Sequence, residues 1–84
     1  MTEKKVGSVT HYYNNLHVAT VKITDGELHV GDMIHIDGNT SDFTVKIKSM
    51  ELDHEPIEVA HAGDIVGIKI DENARKNDTV YIAY

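Results

Sequence analysis

The sequence predicts an all-β fold, a small closed Greek-key barrel, and three observations lead there. One phrase recurs: Gly31-Asp32-Met33-Ile34-His35-Ile36 returns as Gly63-Asp64-Ile65-Val66-Gly67-Ile68, and more loosely as Asn77-Asp78-Thr79-Val80-Tyr81-Ile82. In each copy a residue tolerant of positive φ precedes an Asp, and apolar residues then alternate at period two, as when a tight turn feeds a half-buried strand. Finally, no stretch carries a sustained 3.6-residue apolar period with caps. About seven short strands with turns roughly every ten residues suit a barrel or a sandwich. The barrel is preferred because it removes exposed edges that so small a chain could not cover.

Lys4 to Tyr13 is rich in Val, Thr and Tyr and reads as a strand, with Gly7 marking a bulge or a close backbone approach. Asn14-Asn15 is a turn. From Leu16 to Ile23, Ala19, Val21 and Ile23 share one face, so this strand pairs antiparallel with the first. Asp25-Gly26 closes the arm and Glu27 to Val30 bridges to the first repeat, where Ile34 and Ile36 point inward and Met33, His35 and Asp37 outward. After the polar break Gly38 to Asp42, Phe43 to His54 is the longest strand, with Val45 and Ile47 inward and Lys46 and Lys48 outward. Its apolar parity changes at Ser49-Met50, which a bulge or a crossing between sheets explains. Glu55-Pro56 is expected to end that strand, since proline lacks a ladder donor. Ile57 and Val59 form a short edge; Ile65 to Ile70 reads as a strand covered on both sides; Asp71 to Asn77 is a loop or at most one helical turn; Asp78 to Tyr84 closes the fold.

The 84 residues are expected to form one domain, 1–84, with a stability on the order of 4–13 kcal/mol. There is no cysteine, hence neither a disulfide framework nor a thiolate zinc site. No basic region precedes an apolar run, and no apolar stretch approaches the ~20 residues that span a bilayer, so a soluble cytoplasmic protein without membrane contact is the expectation. The formal charge of −6 opposes non-specific binding to phosphate backbones, although six histidines can bring it toward zero in mild acid.

Leu28-His29-Val30-Gly31-Asp32-x-Ile34-x-Ile36, then Lys46-Ile47-Lys48-Ser49-Met50-Glu51, then Ala62-Gly63-Asp64-x-Val66-Gly67-Ile68 resemble the second-domain barrel of translational GTPases of the elongation factor Tu type. With Val9-Thr10-His11-Tyr12-Tyr13 and His54-Glu55-Pro56-Ile57, the chain is especially similar to stand-alone translation elongation factor-like proteins, and a similar barrel ends some collagenase-like peptidases. The likeness runs from Val6 to Tyr81 and implies the fold more than an activity. In full factors the barrel is a docking surface for ribosomal RNA or the aminoacyl end of tRNA; no tRNA-contact residue of the family is matched to a position here. The last turn departs from the family, with Asn77 where a Gly is usual, and Asn also tolerates the left-handed region. No G-x-x-x-x-G-K-[ST] loop occurs, so GTP binding is not expected.

The histidines lack the paired spacing that aims two rings at one metal, and no metal or other cofactor is expected. Asp32, Asp64 and Asp78 stand in identical positions after Gly31, Gly63 and Asn77, so they are read as turn acceptors of backbone N–H groups rather than as a catalytic cluster. No nucleophile sits in an elbow context, and the chain is read as a non-enzyme. The binding candidates are Lys46, Lys48 and Lys69 on outward strand positions, with Tyr12, Tyr13 and Phe43 as stacking surface. The functional expectation is a non-catalytic module that contacts the ribosome, tRNA or a translation protein. The alternatives are a protein-interaction module for a separate enzyme or GTPase and a stand-alone barrel with no translation role, and the sequence leaves the oligomeric state open.

Overall fold

In a computed structural model that describes residues 2–84, ten strands and no helix make up the described chain. They are β1 (Glu3–Tyr13), β2 (Val18–Ile23), β3 (Glu27–His29), β4 (Met33–Asp37), β5 (Asp42–Lys46), β6 (Met50–Leu52), β7 (Glu55–Ile57), β8 (Val59–His61), β9 (Ile65–Lys69) and β10 (Thr79–Ala83). All pairings are antiparallel, in the order β5-β4-β10-β1-β2-β9-β6-β7, with β3 and β8 forming a separate ribbon. β10 inserts between β4 and β1 although β9 lies beyond β2, which is the Greek-key crossing.

Closure comes from a single stretch of chain. Asp42 to Leu52 pairs with β4 through β5 and with β9 through β6, so one segment joins the first strand of the order to its far side, where β7 adds the last edge. Ile47 anchors the junction: its amide donates to the Asp32 carbonyl and its carbonyl accepts from the Gly31 amide, both at 2.8 Å. Between the inward Ile47 and Met50, Lys48 and Ser49 both face solvent. That extra outward residue is the physical source of the parity change seen in the sequence.

Inward positions form one core of Val6, Val9, Ala19, Val21, Ile23, Ile34, Ile36, Ile47, Met50, Val66, Ile68 and Val80, each at most 1% exposed, and Leu28, Ala60, Ile70 and Ala74 belong to the same cluster. Gly7 lies at a register shift between β1 and β10, and a Cβ there would overlap the carbonyl of Lys22 on β2. Only glycine allows that approach.

The three recurrent turns share one construction. Gly31, Gly63 and Asn77 have φ of 101°, 97° and 78°. The following Asp32, Asp64 and Asp78 accept, through a carboxylate oxygen, the amides of His29, His61 and Arg75 at 2.9, 2.9 and 2.8 Å. Each Asp amide in return donates to the carbonyl of that same residue, at 2.9–3.1 Å.

Three expectations are corrected. Phe43 to His54 is not the longest strand: the segment is divided into β5 and β6, and the longest strand is β1, of 11 residues. Pro56 does not end that segment: a two-residue turn does, with Asp53 and His54 at φ 53° and 67°. Pro56 then lies within β7 opposite Glu51, on the edge of the sheet, where a missing donor costs no ladder bond. Nor is β9 covered on both sides, since Ile65 is 52% exposed. β2 and β6 flank β9 within the sheet and leave its outer face open.

A Cβ added at Gly31 or Gly63 meets no neighbour within 4 Å, so the cost of Gly31→Val and Gly63→Val is chiefly backbone strain, about 1–2 kcal/mol each. Gly7→Ala displaces the backbone of β2 and is expected to cost more than either. Urea unfolding of the three variants checks the order; wild-type stability in the two turn variants would show that these turns do not require their glycines.

Candidate functional site

Because odd positions of β2 and even positions of β9 fill the core, Val18, Thr20 and Lys22 on one strand and Ile65, Gly67 and Lys69 on the other face outward. The register sets Val18 beside Lys69, Thr20 beside Gly67 and Lys22 beside Ile65. β6 adds Glu51 opposite Gly67, and the end of β1 adds His11 opposite Thr20 and Tyr13 opposite Val18. Gly67 leaves a dip in the middle of this face; a Cβ there would stand 3.2 Å from Cγ1 of Val18.

The β1–β2 turn, Asn14–His17, carries His17 at φ 55° and presents Leu16 at one end of the dip. The result is a groove of about 430 Å³ walled by Tyr13, Leu16, Val18 and Ile65, with Glu51 and Asp53 on one rim. It continues through about 280 Å³ toward Ser49 and Lys69. Leu16, Ile65 and Tyr13 are 62%, 52% and 47% exposed, three of the five large apolar side chains left exposed among the described residues. Such clustering on a barrel's outer face marks a place where another surface can bury apolar area.

Lys46, Lys48 and Lys69 are all exposed. Lys48 and Lys69 come to neighbouring strands, since the Lys69 amide lies 3.5 Å from the Ser49 carbonyl, whereas Lys46 sits on the other side of Ile47, aligned with Met33. Phe43 and Tyr12 are half-buried and packed against the core. The Tyr12 hydroxyl is buried without a hydrogen-bond partner. The exposed ring of that phrase is Tyr13, met edge-on by His11 at 4.3 Å. Sequence reading missed Leu16 and Ile65. The available signals were a leucine inside a polar turn and an isoleucine two residues before a glycine, on the parity left over by the core.

A second cluster surrounds His35, which the strand alternation places outward on β4. Its Nδ1 lies 2.8 Å from Oε2 of Glu3 on β1, and its Nε2 lies 2.6 Å from Oδ1 of Asp42 on β5. The Glu3 hydrogen bond, and after it that of Asp42, raises the His35 pKa above its ordinary 6.5. Asp37 and Asp42 stand directly opposite each other, and His35, Asp37 and Asp42 each offer a ligand atom within 4.8 Å of the others. These three could hold a metal ion, and the His35 ring stands between the carboxylates of Glu3 and Asp42.

Comparison with known proteins adds the following. The family described as elongation factor Tu domain 2 matches residues 17–77. In sequence the chain is similar to an uncharacterized protease of Methanocaldococcus jannaschii, 33% identical over 79 residues that make up 93% of this chain and 19% of that protein. It is also similar to a collagenase of Porphyromonas gingivalis, 34% identical over 77 residues, 90% of this chain and 21% of the collagenase. The chain thus spans about a fifth of the length of these curated relatives. In fold it resembles two crystal structures of the C-terminal domain of a Geobacillus thermoleovorans protein assigned to the U32 peptidases. Their TM-scores are 0.85 and 0.88 at 21% and 20% identity, covering 92% and 96% of this chain and 96% and 93% of theirs. These relatives carry peptidase names, where the sequence pointed to a stand-alone translation factor.

The His35 cluster yields a signed pH dependence. A raised folded-state pKa contributes stability that is complete below the unfolded value of about 6.5 and is lost as pH rises through the folded value. NMR titration is expected to place His35 above 6.5, with Glu3→Gln lowering it. The stability gap between wild type and Glu3→Gln is expected to be widest at roughly pH 5–6, where carboxylates remain ionised, and to narrow toward alkaline pH. A gap independent of pH would contradict the assignment.

Proposed function

The chain belongs to the elongation factor Tu domain 2 family, and from that premise we propose that it is a non-catalytic binding barrel that docks onto a separate enzyme of the peptidase kind. The observation that carries this reading is the exposed groove of Tyr13, Leu16, Val18 and Ile65 over the dip at Gly67. An apolar face of this kind gains free energy when a partner covers it, whereas a negative chain gains little from phosphate backbones. The likeness to proteases supports the choice of partner. In those relatives the matched barrel is a minor part of a longer protein, and in this reading the peptide chemistry belongs to the remainder. A translation role resting on Lys46, Lys48 and Lys69 has only the family likeness behind it.

The test is capture of partners by the tagged protein from its own lysate, at low and moderate salt, with and without nuclease. A U32-type peptidase retained after nuclease is the expected result. Leu16→Asp and Ile65→Asp are each expected to weaken that capture by about 1.5–3 kcal/mol, roughly ten- to a hundredfold, the worth of one buried aliphatic side chain. Both should melt like wild type, because these side chains are already exposed. Lys46→Glu with Lys48→Glu should leave capture intact. Recovery of ribosomal RNA or tRNA that is nuclease-sensitive and lost in the lysine variants would overturn the proposal in favour of the translation reading.

A further inference from the structure

We propose that a second cleft, between the end of β1 and the loop leading into β10, binds the terminal carboxylate of a peptide. The cleft has a volume of about 350 Å³. His11, Tyr12 and Asn14 line it from β1 and its turn, and Asn73, Arg75 and Lys76 from the loop. None of its lining residues is a carboxylate, in a chain with 14 acidic residues against 8 Lys and Arg.

The two cations are free to act. Among the described residues every carboxylate ion pair within 4.0 Å is made by a histidine, so neither Arg75 nor Lys76 is neutralised by a neighbour. Asp78 is 4% exposed and accepts the Arg75 backbone amide at 2.8 Å; with Asp37 it lines an adjoining cavity of about 240 Å³ that Arg75 and Lys76 also border, and neither carboxylate pairs with either cation within 4.0 Å. Asp71 and Glu72 precede Asn73 on the same loop but do not line the cleft.

The loop is also held in place. Ala74 is 3% exposed beneath it, the Asn77 amide donates to the Val9 carbonyl at 2.8 Å, and the Val9 amide donates to the Asp78 carbonyl at 2.8 Å. Arg75 and Lys76 are therefore carried on a backbone that binding need not first order. A guanidinium fork matches the two oxygens of a carboxylate, an ammonium adds a point charge, and the asparagine amides supply neutral donors. Tyr12 and Ala74 are the apolar residues among the lining, and they stand beside the cations where the residue bearing the carboxylate would lie.

The proposal rests on the pairing with a peptidase only for the origin of its ligand, since each peptide cleavage creates a new terminal carboxylate. Its test needs no partner. ¹⁵N NMR of the full chain at one fixed pH follows titration with acetyl-tetraalanine bearing a free carboxylate, with its C-terminal amide, and with inorganic phosphate. Saturable shifts at Asn14 and Asn73 to Lys76 are expected with the free acid and not with the amide. Arg75→Gln with Lys76→Gln is expected to weaken binding about tenfold or more, by loss of charge-assisted bonds. Leu16→Asp is expected to leave it unchanged. Equal response to the amide, response to phosphate alone, or no response overturns the site. Lost partner capture with an intact titration would sink the pairing and keep the cleft.

Discussion

Closure by one kinked segment is the constraint on which the rest of the molecule depends. Asp42 to Leu52 must serve β4 with its first half and β9 with its second, and a regular strand of that length would carry its apolar residues to the wrong face on one side. Placing Lys48 and Ser49 together on the outside returns Met50 to the interior. The backbone bonds of Ile47 to Gly31 and Asp32 hold the kink against the turn that opens β4. With the sheet closed, a chain of 84 residues buries a continuous core without a disulfide.

Once the interior has taken one parity of every strand, the other parity is available for contact. On most of the barrel it is polar. Across β1, β2, β9 and β6 it is not: Tyr13, Val18 and Ile65 surround a position where glycine supplies no side chain at all. The groove is a product of sheet register, since Thr20, Gly67 and Glu51 come from three separated parts of the chain and meet only because the strands pair as they do.

The repeated turn works on a second level. In all three copies a carboxylate accepts the amide three residues earlier, which ties each loop to the strand that follows. In the first two copies that amide belongs to a histidine, and the Asp32 and Asp64 carboxylates also lie 3.7 and 3.9 Å from the rings. In the third it belongs to Arg75, and the loop it ends carries the free cations of the second cleft. One local device thus serves stability at two places and presents charge at a third.

The sequence by itself determined the all-β class, most of the inward residues and the three repeated turns, because period-two alternation and residues tolerant of positive φ are local properties. Ile34, Ile36, Val21 and Ile47 were legible as core for that reason, and so was the parity change at Met50. Proline misled at Pro56, because whether a missing N–H matters depends on which strand lies alongside. Ile65 misled because apolar character on both parities cannot tell a covered strand from an open one. Only the tertiary structure decided that Leu16 and Ile65 share a groove, that Glu3 and Asp42 clasp His35, and that Arg75 faces His11. Each of these joins residues distant in sequence through strand order and register, and the period of a chain contains neither.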